Sequence, residues 1–495
     1  MSFPILTVLV VFPLLAGVLL WAVPPLRSKW RVYGIAVSLI ELVLVVWAAT
    51  SFDLASASAI QLTEQVPWIP AIGASWALGI NGLGLVMIAL AAFLVPIVIL
   101  ARAEGEGDSR DWLWVALALI LEACMVLIFA ARDVLLFYIV FEAMLIPVYF
   151  LIGTFGGPNR KRAALKFLLY SLAGGLIMLV GVVALFAYGP GGETAYLIDT
   201  LQSQLVLEPT AEKLIFISFF IAFAIKAPMV PVHTWLPDTA QEADTGTSTL
   251  LVGVLDKVGT FGMIALCLAL FPNASRWAAP VIVVLAVISI LWGGLVAVAS
   301  KDFMRLVAMT SVSHFGFIVL GIYVGSATAM TGALIYMVAH GISTAALFLV
   351  LGFLKKRGAT QQIAAYRGMQ RITPVLAGLF LTAGLASIAL PGLSGFVPEY
   401  LVLIGTFKVN WIAAAFAVLG VIIAALYVLL PYQQMFTGPP EEGIQGAADL
   451  DTREKTVLAP LVVVMLLLGF VPGLVLDAVT PVAETAATTI QVEGR

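Results

Sequence analysis

Ten ionisable side chains stand inside long apolar runs of this sequence: Glu41, Glu122, Glu142, Lys226, His233, Asp256, Lys257, His314, His340 and Glu399. A Lys or Asp at the centre of a bilayer costs about 2.5–3.5 kcal/mol on insertion scales, so a chain that keeps several has a use for them. Without a cofactor, their chemistry is confined to protons and ions. Lysine suits a relay because burial favours its neutral form and a nearby carboxylate its charged form, so moving the partner loads or unloads the proton. Arginine never deprotonates and cannot do this. Imidazole titrates near pH 6.5 and can bridge stronger acids and bases, although a lone buried histidine is more often a satisfied core residue.

Two of the runs are interrupted, by IKAPMVPVHTWLP (Ile225 to Pro237) and by SIALPGLSGFVPE (Ser387 to Glu399). Proline and glycine free backbone groups that lipid cannot satisfy, so such breaks survive where they are buried in protein or line a wet cavity. Lys226 stands just before the first break, where a half-helix ends and its dipole favours a cation; Glu399 follows Pro398 just after the second, where a half-helix starts and favours an anion. Glu142 has no opposite charge within a helical turn, which makes Lys226 its expected partner. Lys257, His314 and His340 are each mid-span on separate helices. Asp256 points about 100° away from Lys257 around a helix, so the two do not form an ordinary helical pair. Glu41 and Glu122 read equally as further acids or as buried hydrogen-bonding groups, and His233 as a cap for carbonyls freed at the break.

The elements that carry these groups follow from composition. Of 495 residues, 62% are hydrophobic and 11% charged, with a mean hydropathy of +1.09; a soluble chain carries roughly 25% charged residues. About twenty apolar residues make one helical span. Loop signals divide the chain into fourteen spans, near residues 3–23, 32–51, 76–100, 112–130, 134–152, 164–188, 212–236, 247–270, 278–298, 303–323, 328–354, 373–407, 411–436 and 456–478. The predicted fold is an all-α integral membrane protein. The first span has no basic n-region and no cleavage site of a removable signal.

Placing both termini outside puts most basic residues in the cytoplasm, among them Arg160, Lys161, Arg162, Lys355, Lys356 and Arg357; only Arg132, Lys213, Arg276, Lys408 and Arg495 fall outside. The two breaks lie five spans apart, so their host helices cross in opposite directions, the pattern of an inverted repeat. The predicted layout is residues 1–111 as helices 1–3, 112–270 and 271–436 as two inverted five-helix repeats, and 437–495 as a C-terminal loop and helix 14. Cys124 and Cys267 have no CxxC partner, so no metal or iron–sulfur centre is expected. The net charge of -3, with basic residues scattered over loops, leaves no nucleic-acid footprint.

The stretch KAPMVPVHTWLPDTAQEADTGTS from Lys226, followed by LLVGVLDKVGTFG around Lys257, resembles the core signature of antiporter-like subunits of proton-translocating NADH:quinone oxidoreductase, respiratory complex I. So do RDVLLFYIVFEAMLIP around Glu142, SVSHFGFIVLGI around His314, MVAHGISTAALFLVLG around His340 and LPGLSGFVPEY around Glu399, in the family's order and over almost the whole chain. In that family, chain M carries glutamate at the twelfth-span site where chains L and N carry lysine, and no long amphipathic extension of the chain L kind follows Val471; the M type is therefore expected. The resemblance implies a Glu142–Lys226 pair, a central Lys257, His314 and His340 leading onward, and Glu399 as the terminal group. It also implies a bacterial cytoplasmic membrane, chain L-like and chain N-like neighbours, and partner subunits that handle NAD, FMN, iron–sulfur clusters and quinone. Two positions depart from the pattern: Asp244 stands where members usually have proline, and Asp256 where they carry an apolar residue. The competing readings are a subunit of a multisubunit cation/proton antiporter, on the same fold, and a scaffold whose buried charges only pin helices together.

Overall fold

The computed structural model describes residues 3–102, 110–440 and 446–491; Arg495, expected outside the cytoplasm, falls outside them. In chain order the principal helices are α1 (Ile5–Ala22), α2 (Trp30–Thr50), α3 (Gly82–Ala101), α4 (Asp111–Ala130), α5 (Val134–Ala143), α6 (Leu145–Phe155) and α7 (Arg160–Tyr188). They continue with α8 (Pro209–Lys226), α9 (Trp235–Glu242), α10 (Thr245–Leu250), α11 (Lys257–Gly262), α12 (Pro272–Ala299), α13 (Phe303–Tyr323) and α14 (Ala327–Gly358). The last are α15 (Pro374–Ser387), α16 (Phe396–Val409), α17 (Trp411–Phe436), α18 (Thr452–Phe470) and α19 (Gly473–Ala487). Among the described residues, 11 helices are long and apolar enough to cross a membrane, or 12 with α18 and α19 taken as one span bent by 63° at Val471 and Pro472. The last span thus ends at Phe470 rather than running straight to 478. The two other expected spans coincide with pairs of half-helices, α8 with α9 and α15 with α16.

The chain is not purely helical. Residues 76–80, expected at the start of the third span, belong to an antiparallel hairpin of β1 (Gln61–Ile69) and β2 (Ala74–Ile80). Gly73 closes its turn at φ 68, a left-handed conformation that glycine adopts without penalty. The hairpin clamps helix starts: Glu64 accepts from the backbone N–H groups of Leu6 and Thr7 at the head of α1, and Asp133 accepts from Ser75 of β2 and Leu136 of α5. Asn81 then caps α3 through Gly84 N–H, which fixes the helix start at Gly82 rather than at 76, where hydropathy alone puts it.

Lipid is as apolar as a protein core, so outer helices can be apolar all round while polar and ionisable side chains gather on the innermost ones. α13, α14 and the segment Thr245–Leu268 are almost entirely buried, whereas fewer than half of the residues in the apolar stretches of α7, α12 and α17 are. The outer helices carry their large side chains outward, as at Leu165, Leu169, Leu176, Val180 and Val183 of α7. Lys257, His314 and His340 therefore sit on the three innermost segments.

Candidate proton path

The first break ends α8 at Lys226. Its freed backbone groups are paired: Trp235 Nε1 donates to Ile225 O at 2.9 Å, Met229 N–H to Ala224 O at 3.0 Å, and Val230 N–H to Ser289 Oγ at 3.0 Å. The cap is thus Trp235, not His233, whose Nδ1 has no partner. The second half-helix, α9, is held by Asp238, which meets Lys166 and Arg305 at 2.6 Å each. At the second break, α16 starts at Phe396 with Glu399 in its first turn. Lys226 thus lies in the last turn of one half-helix and Glu399 in the first turn of another, the ends whose dipoles favour a cation and an anion.

Lys226 is buried, with its ammonium 5.3 Å from the centre of the Phe141 ring and 5.5 Å from that of Phe167. Its Nζ has no hydrogen-bond partner, and neither has Glu142 Oε1. The expected pair therefore shares a field without a direct bond. Glu142 is half-buried and lies in a notch on α7, where a Cβ added at Gly175 would stand 1.6 Å from its Oε1. Gly174 alongside packs against Ala222 and Ile225 of α8, so two adjacent glycines bring α7 close to α8 and make room for the carboxylate.

Lys257 starts α11 between two π-helical segments, Leu251–Leu255 and Met263–Leu268. Such turns shift the i→i−4 ladder and leave carbonyls unpaired, which is why they recur at functional sites. Here Lys257 Nζ donates to Val252 O. The same nitrogen lies 2.8 Å from His340 Nδ1, which places the imidazole proton on Nε2 when the ammonium donates. Gly253 and Gly341 bring the segments together, since a Cβ on Gly341 would stand 2.7 Å from Gly253 O.

Beyond His340 the row continues. The His340 and His314 rings are 5.1 Å apart, and His314 Nε2 lies 2.9 Å from the Tyr427 hydroxyl. Tyr336, whose ring is 5.8 Å from that of His314, donates its hydroxyl to Glu399 Oε2 at 2.9 Å. Gly332, one turn before Tyr336, lets α16 approach α14, because a Cβ there would meet Pro398 O at 2.8 Å; small residues at such crossings are how membrane helices pack closely. Five of the six expected site residues are buried in this arrangement and the sixth, Glu142, is half-buried. Tyr336 and Tyr427 were not among the expected residues. The signal was available, since Tyr336 precedes His340 by four residues and shares its helix face, and a buried tyrosine hydroxyl needs a partner.

Asp244 explains its own departure from the family pattern. It caps α10 through Gly246 and Thr247 N–H at 3.1 and 3.3 Å and accepts from Trp114 Nε1 at 3.0 Å. Among the described residues, no group of three or more His, Cys, Asp or Glu is placed to hold a metal ion.

Residues 131–424 match a family model described as NADH:quinone oxidoreductase/Mrp antiporter, TM. The chain belongs to that family. It is 42% identical to NADH-quinone oxidoreductase subunit M of Mycobacterium tuberculosis, over 98% of this chain and 94% of the relative. It is 36% identical to the subunit of the same name from Rhodobacter capsulatus, over 92% of this chain and 89% of the relative. Among solved structures it superposes on a chain of respiratory complex I from Thermus thermophilus with bound NADH at a TM-score of 0.89, with 34% identity, covering 98% of this chain and 100% of that one. A chain of the Mrp complex from Dietzia sp. DQ12-45-1b shares the fold at a TM-score of 0.85 and 24% identity, over 99% of this chain and 98% of that one. The family's range, residues 131–424, takes in every charged and histidine member of the row from Glu142 to Glu399.

Proposed function

We propose that this chain is a proton-translocating membrane-arm subunit, of the M type, of an NADH:quinone oxidoreductase. It contributes to that enzyme without a redox centre of its own: NAD, FMN, iron–sulfur clusters and quinone belong to partner subunits. The observation that carries the reading is the row of titratable groups through the buried core, with Lys257 2.8 Å from His340, His314 2.9 Å from Tyr427, and Tyr336 2.9 Å from Glu399. In it Glu142 sets the charge state of Lys226, Lys257 holds the central proton between Val252 O and His340, the histidines pass it on, and Glu399 receives it at the second break. A carboxylate half-buried at membrane depth, as Glu142 is, calls for a neighbour that covers it. We assign that flank to a chain L-like or chain N-like subunit.

The half-helix pairs support fourteen spans with two inverted five-helix repeats, residues 112–270 and 271–436, in a bacterial cytoplasmic membrane with both termini outside. Cysteine labelling at Lys161 and Lys356 from the cytoplasmic side only fits that orientation. Mass spectrometry of the native complex tests the function. Flavin- and cluster-bearing subunits are expected to co-purify, and vesicles holding the complex to acidify on NADH addition in the wild type but not with Lys257→Met. A complex without NADH-oxidising subunits that exchanges sodium for protons would refute the reading.

A further inference from the structure

Asp256 lies within this row, yet no step above uses it. It closes the first π-helical segment, its N–H donating to Leu251 O at 3.0 Å, and its side chain is wholly buried with neither oxygen hydrogen-bonded. Carboxylates with structural tasks in this chain look different. Asp133, Asp244 and Asp302 each accept two backbone N–H bonds; Asp256 accepts none. Leaving a buried acceptor unmade is costly, so its retention needs another cause.

Its direction supplies one. Gly259, three residues on and on the same helix face, abuts the end of α8, where a Cβ would stand 2.6 Å from both Phe223 O and Ala227 N. Asp256 thereby faces the end of α8 that carries Lys226.

We propose that Asp256 is a further proton-carrying residue, standing between Lys226 and Lys257 and passing the proton from one lysine to the other. An N–H bond of the Lys226 ammonium breaks as an O–H bond forms on Asp256, leaving an amine and a carboxylic acid. That O–H bond then breaks as an N–H bond forms on neutral Lys257, restoring the carboxylate. One proton moves and the total charge is unchanged. A carboxylate between the two amines also spares them from facing each other as two unpaired cations. The proposal rests on the relay reading given above.

The test is NADH-driven proton pumping by the whole complex in proteoliposomes, measured from pH 6 to pH 8, with assembly checked on native gels. Asp256→Asn keeps the shape and removes a charge from an apolar setting, so it is expected to assemble and to pump at least five-fold more slowly at every pH. Asp256→Glu is expected to restore most of the rate, and Asp256→Leu serves as a second uncharged variant. Normal pumping by either uncharged variant overturns the proposal. So does recovery of Asp256→Asn on acidification, because lysines that lack only a neutralising neighbour, among Glu142, His340 and each other, are reloaded by a higher proton concentration. Lys257→Met separates the two failures: if it too pumps normally the relay reading falls, and if it is inactive while Asp256→Asn is normal only Asp256 is excluded.

Discussion

The notch at Gly175 offers a perturbation of Glu142 that leaves every titratable residue in place. In Gly175→Ala the new methyl would stand 1.6 Å from Oε1 and 2.5 Å from the carboxylate carbon of Glu142. Contact distance is about 3.5 Å, so the carboxylate must swing away by roughly 2 Å. The obstacle is the far end of a rotatable side chain, and an off-rotamer χ costs about 0.5–1.5 kcal/mol. Alanine in a helix gains about 0.5–1 kcal/mol over glycine, so the terms nearly cancel and the complex should assemble. The electrostatic effect does not cancel. At an effective dielectric constant of about 20, opposite charges at about 6 Å, the outer range at which they shift each other's protonation, interact by about 3 kcal/mol, and a gap wider by about 2 Å removes about 0.7 kcal/mol. That is roughly a three-fold change in how readily Lys226 holds its proton. Gly174→Ala is the internal control: its methyl would meet the terminal carbon of Ile225 at 3.0 Å and Ala222 Cα at 3.3 Å, without touching Glu142. With assembly verified by native gel, NADH-driven quenching of a pH-sensitive dye in proteoliposomes should fall about three-fold for Gly175→Ala and stay near wild type for Gly174→Ala. Equal pumping by the two assembled variants would refute the reasoning that the position of Glu142 controls Lys226.

Lys226→Arg keeps a positive charge between the Phe141 and Phe167 rings but cannot release a proton; an assembled complex with strongly impaired pumping and slowed NADH:quinone turnover is expected, and normal pumping would mean that only the charge matters. Glu399→Gln retains an oxygen that can accept from Tyr336 and should assemble yet pump poorly, whereas a purely helix-terminal anion would cost a few tenths to about one kcal/mol of stability and no transport. Asp244→Ala removes the α10 cap and the Trp114 bond, which should cost about 1–3 kcal/mol. It should appear as a lower yield of assembled complex on native gels with pumping per assembled complex unchanged.

What the sequence made legible were features whose cause is local. Proline and glycine inside an apolar run dictate a break wherever the run folds, so Lys226 and Glu399 could be placed at half-helix ends before any contact was known. A charge in an apolar span is conspicuous for the same reason. The hairpin was missed because residues 61–80 alternate too weakly to stand out beside the apolar run that follows, and because what fixes it is distant: Glu64 with α1 and Asp133 with α5. The tyrosines carry no charge that stands out in an apolar helix, so only spacing points to Tyr336, four residues before His340. The Gly175 notch was invisible because a glycine in a membrane helix reads as packing until the side chain lying over it is known.

The two halves of the row differ in a way that bears on control. From Lys257 to Glu399 each titratable group has a partner at hydrogen-bond distance, Val252 O and His340 for Lys257, Tyr427 for His314 and Tyr336 for Glu399, while His340 Nε2, His314 Nδ1 and Glu399 Oε1 have none. From Glu142 to Asp256 the buried atoms Glu142 Oε1, Lys226 Nζ and both Asp256 oxygens have none. Protons hop between groups in hydrogen-bond contact, whereas groups coupled only through the field must first approach or be bridged. On the relay reading, the second half holds three separate hydrogen-bonded pairs with no hydrogen bond between the imidazoles of His340 and His314, whereas the first half holds no such pair, and the step that charge moving near Glu142 would control is the closing of the contacts around Lys226. Substitutions from Glu142 to Asp256, like Lys226→Arg, should therefore slow pumping and NADH oxidation together, and those from His340 to Glu399 should lower the rate at which protons pass.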